Sequence, residues 1–255
     1  MEDIWLLAGG GLFSGLLAGL LGIGGGTVLV LIIITVGYTP VQAVATSSLA
    51  IVLTALSGSI QNYRMGYLDL NRIWSLGFSA IITAQLGAYI ATGLPDNQLL
   101  IAFGILLLAN IGLASWRKKL VQQEDPSQQQ TRNQTLARIA TGGIAGFFAG
   151  LFGIGGGVIM VPLQMVLLGE SIKVAIQTSL GVIVITSVSA TLGHAWQGNV
   201  LFLQGLVLGL GGLAGAQLST RYLPKLPDRA IRFGFYTLLA LLAVYTFWQA
   251  GLFGN

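Results

Sequence analysis

The chain has 255 residues, of which 54% are hydrophobic and only 8% are charged, and its net charge is +4. So few charged side chains cannot cover the surface of a soluble domain of this length, so the composition excludes a soluble protein and predicts an all-α integral membrane protein. The absence of cysteine excludes disulfides and thiolate chemistry, and the positive charge is typical of basic loops and not of nucleic-acid binding.

Apolar runs of about 20 residues predict the transmembrane elements. In chain order they are 4–36, 41–63, 73–92, 98–116, 139–168, 172–195, 201–222 and 230–248. The segments 4–36 and 139–168 are longer than the others and are interrupted by glycines, whereas the rest are typical of ordinary crossing helices. We expect an N-terminal transmembrane repeat over 1–116, a polar linker over 117–135 and a C-terminal transmembrane repeat over 136–255.

The two interrupted segments carry the same motif. GLLAGLLGIGGG at 15–26 recurs as GFFAGLFGIGGG at 146–157. Polar residues recur at matching places as well. The matched pairs are Thr46 with Gln177, Ser47 with Thr178, Ser48 with Ser179, Asn62 with His194, and Gln85 with Gln217. The chain is therefore predicted to be a duplication of one four-element unit, with a broken helix in each copy.

The placement of charge indicates how the interrupted elements lie. If both cross the membrane, Lys and Arg residues fall on both faces. If both are re-entrant, the halves are inverted relative to one another and all 12 Lys and Arg residues lie on the linker side. Because Lys and Arg concentrate on the cytoplasmic side, we predict two inverted repeats, each with a re-entrant glycine-broken element and three crossing helices. The linker is then cytoplasmic and both termini lie outside.

The doubled glycine motif, followed by ATSSL at 45–49 and by QTSL at 177–180, resembles the sulfite exporter TauE/SafE family, also called the toluene-sulfonate uptake permeases. The similarity covers nearly the whole chain apart from the linker. It implies a permease of the plasma membrane that moves small sulfur-containing anions, such as sulfite or organosulfonates. The expected partners are that anion and the lipid bilayer, with no nucleic acid, cofactor or metal, and a homo-oligomer is left open.

A helix that restarts after three glycines presents free backbone N–H groups and a partial positive charge, which attract oxyanions. Neutral polar side chains can complete such a site. The predicted substrate-binding residues are Gly24, Gly25, Gly26, Thr46, Ser47, Ser48, Asn62, Gln85, Gly155, Gly156, Gly157, Gln177, Thr178, Ser179, His194 and Gln217. Close helix packing is the competing explanation for the spaced pairs Gly15/Gly19, Gly146/Gly150 and Gly211/Gly215, and helix–helix hydrogen bonding is the competing explanation for the two glutamines.

His194 is the only histidine of the chain. When protonated it could attract an anion near the outer mouth and suit proton coupling, and otherwise it would be an ordinary solvated histidine. It also leaves open an intramembrane enzyme acting on lipid or peptide, because Ser187 and Ser189 are near it in sequence. No Gly-x-Ser-x-Gly elbow accompanies them, so we predict no catalytic residues and no enzyme. A non-transporting accessory subunit is a further alternative.

Overall fold

A computed structural model describes residues 2–121 and 134–251, and this part of the chain is α-helical apart from turns and one 3-10 helix, with no strand. The helices are α1 (Glu2–Leu21), α2 (Gly26–Thr35), α3 (Pro40–Arg64), α4 (Leu70–Gly93), α5 (Asp96–Val121), α6 (Gln134–Phe152), α7 (Gly157–Leu167), α8 (Ile172–Trp196), α9 (Phe202–Thr220) and α10 (Asp228–Gln249), with the 3-10 helix at Leu223–Lys225. Within the described residues, 8 helices are long and apolar enough to cross a membrane. The prediction of an all-α membrane protein is confirmed.

The predicted crossing helices are found within a few residues of their expected bounds. Local chemistry fixes two of the starts. Thr39 precedes α3 and forms a capping box with Gln42, and Ser171 accepts a hydrogen bond from the amide of Val174 at the start of α8. At the predicted linker, α5 continues to Val121 and α6 begins at Gln134, whereas 122–133 lie outside the described residues.

Each interrupted element is a long helix followed by a short one. α1 has 20 residues and α2 has 10, and α6 has 19 and α7 has 11. The sequence places the glycine break near the middle of each element, but the structure places it after a helix that is long enough to cross by itself. The break falls there because the first glycine with a positive φ comes only at Gly22 in one copy and at Gly153 in the other.

The first helix of the chain packs along α9, in the other half. A Cβ on Gly15 would lie 2.1 Å from the carbonyl oxygen of Gly212, and one on Gly19 would lie 2.1 Å from Oγ of Ser219. Residue numbers rise together along this contact, so α1 and α9 run in the same direction. Two backbones approach this closely only where neither carries a large side chain, which confirms packing as the role of these two glycines.

The same contact occurs between α6 and α4. A Cβ on Gly146 would lie 2.5 Å from the carbonyl oxygen of Ala80, and one on Gly150 would lie 2.0 Å from that of Ala84. The first helix of each half therefore packs on the second of the three predicted crossing helices of the other half, α1 on α9 and α6 on α4. The two halves interlock, and neither is packed as a separate body.

Helices α3 and α8 form the centre of the bundle. Their spans are 72% buried, compared with 28–44% for the other candidate spans. The two helices run in opposite directions. Ile51 of α3 and Ile183 of α8 flank the same glycines. Gly58, which follows Ile51 in α3, faces Leu180, which precedes Ile183 in α8.

Ion pairs join three inter-helix connections at one end of the bundle. Arg72 Nη1 lies 3.0 Å from Glu170 Oε1, and Lys173 Nζ lies 3.6 Å from Asp228 Oδ1. These pairs bring the starts of α4, α8 and α10 to one end, which we call the basic end. Partly exposed ion pairs contribute little to stability, but these two show which helix ends lie together.

Candidate functional site

The two glycine breaks have the same backbone geometry. Between the helices on either side, glycines adopt φ angles from 63° to 86°, in the left-handed region that residues with a Cβ rarely enter. These glycines are Gly22, Gly24, Gly25, Gly153, Gly155 and Gly156. All of them are buried.

The breaks lie against each other. A Cβ on Gly26 would lie 2.5 Å from the carbonyl oxygen of Gly153, and one on Gly157 would lie 2.1 Å from that of Gly22. The structure thus brings together the six predicted glycines at 24–26 and 155–157, although they are far apart in sequence. The amino ends of the short helices α2 and α7 also begin here, each with a glycine N-cap.

Hydroxyl groups cap carbonyl oxygens of the breaks. Ser14 donates to the carbonyl of Gly25 at 2.8 Å, and Ser47 donates to that of Gly153 at 2.8 Å. Thr186 of α8 donates to the carbonyl of residue 155 at 2.7 Å. By contrast, the amide N–H groups of residues 23–25 and 154–156 donate to no acceptor within the described part of the chain. The two breaks therefore contain backbone amides that can donate hydrogen bonds and have no partner among the described residues.

Isoleucines of the central helices close the space beside the breaks. Ile51 and Ile183 both reach Gly24 and Gly155, at 2.8 to 3.3 Å from where a Cβ would be. The breaks are close-packed in this conformation. An apolar recess lies beside them and is lined by Val30, Pro40, Val44, Leu99, Leu100, Phe103 and Phe152.

The Ser/Thr/Gln clusters are buried but do not all face the breaks. Ser47 contacts the second break, as described above. Thr46 accepts a hydrogen bond from the amide of Leu201, at the start of α9, and Ser48 donates to the carbonyl of Val44 in its own helix. In the second copy, Ser179 accepts from Gln164 of α7. Gln177 and Thr178, directly before Ser179 in α8, are also buried.

The two matched glutamines bridge helices. Gln85 of α4 donates to the carbonyl and the hydroxyl of Ser189 in α8. Gln217 of α9 donates to Gln61 and accepts from Ser57, both in α3. These contacts are the helix–helix hydrogen bonds that the sequence offered as the alternative to substrate contact.

Asn62 and His194 lie near the last turns of α3 and α8, and His194 contacts α6 just before the second break. Both are 0% exposed. The structure thus excludes the solvated histidine that the sequence left open. His194 Nε2 donates to the carbonyl of Gly150 at 2.9 Å, whereas its Nδ1 and both polar atoms of Asn62 are buried and have no partner among the residues that the structure describes. Near His194 in sequence, Ser187 and Ser189 donate to backbone carbonyls and not to the imidazole.

Sequence reasoning missed Ser14 and Thr186, which cap the breaks. Ser14 lies 11 positions from its acceptor, and no motif marks it. Other buried hydroxyls have no partner among the described residues. They are Thr27, Ser59, Thr141, Thr191 and Thr220, and of these the sequence indicated only Thr191, which shares a helix face with Ser187 and His194. The internal repeat could have identified two of these hydroxyls, because Ser59 precedes Asn62 by three positions and Thr191 precedes His194 by three positions.

Known proteins place the chain in a family. The sequence model of the sulfite exporter TauE/SafE family matches residues 7–246. The chain belongs to this family. The probable membrane transporter protein YunE of Bacillus subtilis is 30% identical over 87% of this chain and 89% of its own length. A probable membrane transporter protein of Xylella fastidiosa is 27% identical over 98% of this chain and 97% of its own. No solved structure matches the chain.

Membership fixes the class of the molecule. The helical spans and the family together identify a multi-pass membrane protein of a transporter family.

Proposed function

We propose that the protein is a plasma-membrane permease for small sulfur-containing anions, such as sulfite or organosulfonates, and that the anion binds where the two glycine breaks meet. The observation that carries the proposal is the pair of adjoining helix interruptions, buried at the centre of the bundle, whose amide N–H groups at 23–25 and 154–156 have no acceptor among the described residues. Broken helices at matching places of two repeats are typical of transporter binding sites.

The hydrogen-bonding state of the breaks favours an anion over a cation. A cation would bind carbonyl oxygens, and three of those in the breaks, of Gly25, Gly153 and Gly155, already accept hydroxyl protons. The carbonyls of residues 22–24 and 154 accept none within the described part of the chain, so the preference for an anion rests on the amides. The amides are donors, and an oxyanion is the acceptor that satisfies several of them at once. The amino ends of α2 and α7 add partial positive charge at the same place.

The proposed architecture is two inverted repeats with re-entrant first elements, with the basic end in the cytoplasm and both termini outside. Two observations support it. First, helices α1 and α9 run in the same direction. Helices α3 and α9 also run in the same direction, because Leu49 faces Gly205 and the later residue Thr54 faces the later Gly212. Thus α1 and α3 start at the same end, as a hairpin of α1 and α2 requires.

The second observation is the ion pair between Arg72 and Glu170. If both interrupted elements crossed the membrane, these residues would lie on opposite faces. They lie together, with Lys173 and Asp228 beside them. The proposed orientation then follows from the preference of Lys and Arg for the cytoplasmic side.

The mechanism proposed is alternating access. In the described conformation Ile51 and Ile183 close the space beside the breaks. An anion reaches the amides when the two interlocked halves rock apart on one side, and it leaves when they part on the other. The close backbone contacts between α1 and α9 and between α6 and α4 let each pair move as a unit.

The test is flux of labelled anions into liposomes that contain the purified protein, across sulfite, sulfate, thiosulfate, methanesulfonate and acetate. We expect saturable flux of one or more sulfur-containing anions. Gly24→Ala should abolish it, because the new methyl group lies against the breaks at a positive φ, whereas Gly37→Ala should not. Gly37 has a φ of 102° and nothing within 4 Å of its Cβ position, so it controls for backbone strain alone. Acetate flux alone, or wild-type flux in Gly24→Ala, contradicts the proposal.

A further inference from the structure

His194 and Asn62 occupy equivalent places in the two repeats but differ in chemistry. Both are completely buried, and both have polar atoms without a partner in the described part of the chain. Asparagine does not titrate, whereas histidine changes its charge near neutral pH. At this pair of equivalent positions, only the second half therefore carries an ionisable group.

The contact of His194 ties it to the second glycine break. Its Nε2 lies 2.9 Å from the carbonyl oxygen of Gly150. A carbonyl only accepts, so Nε2 carries a hydrogen. Gly150 is in the last turn of α6, where backbone carbonyls lack helical partners, and the break begins at Gly153. The imidazole thus holds the turn that leads into the break.

The other ring nitrogen, Nδ1, is buried and has no partner in the described part of the chain. In the neutral ring Nδ1 is an acceptor, and in the charged ring it is a donor. A buried imidazolium needs a negative charge nearby.

Within the described residues, no charged side chain of the helices packed on α8 supplies that negative charge. Among the described residues, α1 from Ile4 onwards and α7 carry no ionisable group. The charged residues of the other helices packed on α8 lie towards the basic end, at the opposite end of α8. They are Arg64 of α3, Arg72 of α4, Arg138 of α6, and Asp228, Arg229 and Arg232 of α10.

The tyrosines of these helices contact other groups or are exposed. Tyr236 of α10 packs its ring against Phe235, towards the basic end. Tyr89 of α4 is 71% exposed, and Tyr245 of α10 approaches Thr35 and Gln249. Tyr63 of α3 is exposed beside Arg64.

We propose that His194 carries the proton that couples anion movement to the proton gradient, an inference that rests on the proposed anion permease. A proton from one face forms the Nδ1–H bond, and the imidazolium is neutralised by the anion that enters the same conformation. When the halves rearrange, that bond breaks and the proton leaves with the anion on the other face. No bond other than N–H forms or breaks, and nothing is oxidised or reduced. Because His194 is sealed in the closed conformation, the proton is exchanged only when the protein opens.

The first experiment measures proton movement with a pH dye inside liposomes, using sulfite and methanesulfonate. Methanesulfonate keeps the same charge between about pH 6 and about pH 8, where histidine titrates, so any pH effect with it belongs to the protein. For the wild type, we expect protons to move with the anion. The flux should fall as the pH rises, by roughly tenfold per unit once the charged imidazole is the minor form.

The diagnostic variant is His194→Gln, whose amide nitrogen can still donate to the carbonyl of Gly150. We expect it to lose proton movement and the pH dependence together. Asn62→Gln is the matched control at the equivalent position. Whatever its rate, its flux should keep the pH dependence of the wild type, because it leaves His194 in place.

A second measurement uses the unmodified protein and does not depend on how the variant folds. The chain has 1 histidine, so the nitrogen resonances of labelled histidine report on this residue alone. At fixed pH, methanesulfonate or sulfite should shift them towards the charged form.

The outcomes separate the two proposals. Anion flux without proton movement, a His194→Gln variant that still moves protons with the anion, or resonances unchanged by a transported anion would each overturn the role of His194 and leave the permease intact. A wild type without any anion flux removes the permease and this inference with it.

Discussion

The two glycine breaks are alike in backbone and different in the hydroxyls around them. Both use positive-φ glycines at matching places, and both are followed by a short helix with a glycine N-cap. In the first break one hydroxyl, Ser14, caps a carbonyl, and the short helix begins Gly26-Thr27. In the second break Ser47 and Thr186 cap two carbonyls. Both breaks therefore need the same backbone conformation, which only glycine adopts readily. The side chains that donate to the carbonyls of the breaks can differ between the two copies.

The largest expected effect concerns the direction in which each break opens. If the two breaks belong to inverted repeats, which are related by a pseudo-two-fold axis in the membrane plane, the turns that follow α2 and α7 lie on opposite faces of the membrane. Gly37 and Gly169 are in these turns, are exposed and have open space around them. Since the chain has no cysteine, we expect Gly37→Cys to react with an impermeant maleimide added to intact cells. Gly169→Cys should react only after the membrane is permeabilised.

Equal labelling of both positions from outside would reject the inverted arrangement. Labelling of neither before permeabilisation would place both turns in the cytoplasm and would reject it as well. Both variants after permeabilisation serve as the control for reactivity.

The next effect tests whether the two breaks are equivalent. Gly26→Ala and Gly157→Ala each put a methyl group where only 2.5 Å and 2.1 Å separate the Cβ position from a backbone carbonyl of the other break. Each should lose flux completely, with a loss of stability of about 1–3 kcal/mol from overpacking. Flux and thermal unfolding in detergent check this. Normal flux in only one of the two variants would show that the breaks are not equivalent.

The smallest effect sharpens the difference in hydroxyls. Ser47→Ala and Ser14→Ala each remove one donor to a break carbonyl, and the carbonyl that loses its donor is buried. Ser47→Ala should lower the free energy of unfolding by about 1–3 kcal/mol, and Ser14→Ala by less, because the carbonyl of Gly25 also accepts from the amides of Val28 and Leu29. Both variants leave the glycine path intact. We expect flux to fall in part and not to disappear. Ser48→Ala is the comparison, because that hydroxyl bonds only within its own helix. An effect of Ser48→Ala as large as that of Ser47→Ala would show that capping of the break is not the cause.

Much of the fold could be predicted because the relevant forces are local. Hydrophobic length gave the crossing helices, and capping residues such as Thr39 and Ser171 fixed the starts of α3 and α8. The small-residue pairs were correctly read as packing positions. The length of α1 and α6 was not predicted, because the long apolar run does not show at which glycine the helix ends.

The candidate site was predicted only in part. The sequence named the glycines, but their neighbours Ser14 and Thr186 carry no motif and become visible only when the chain folds. Gln85 and Gln217 were offered with two alternatives, and the structure shows helix-bridging contacts for both. Whether any of the predicted residues touches an anion stays a prediction for the flux measurements.

The sequence by itself determined that this chain is a duplicated helical membrane protein with a glycine break in each copy, because composition, hydrophobic length and repetition are properties of the chain alone. Only the tertiary structure decided that the breaks lie against each other, that α1 packs on α9 and α6 on α4, and that His194 is sealed from solvent. These facts depend on backbones that approach one another from distant parts of the chain. Their close approach is set by a glycine on one partner against a small residue on the other, which no single stretch of sequence displays.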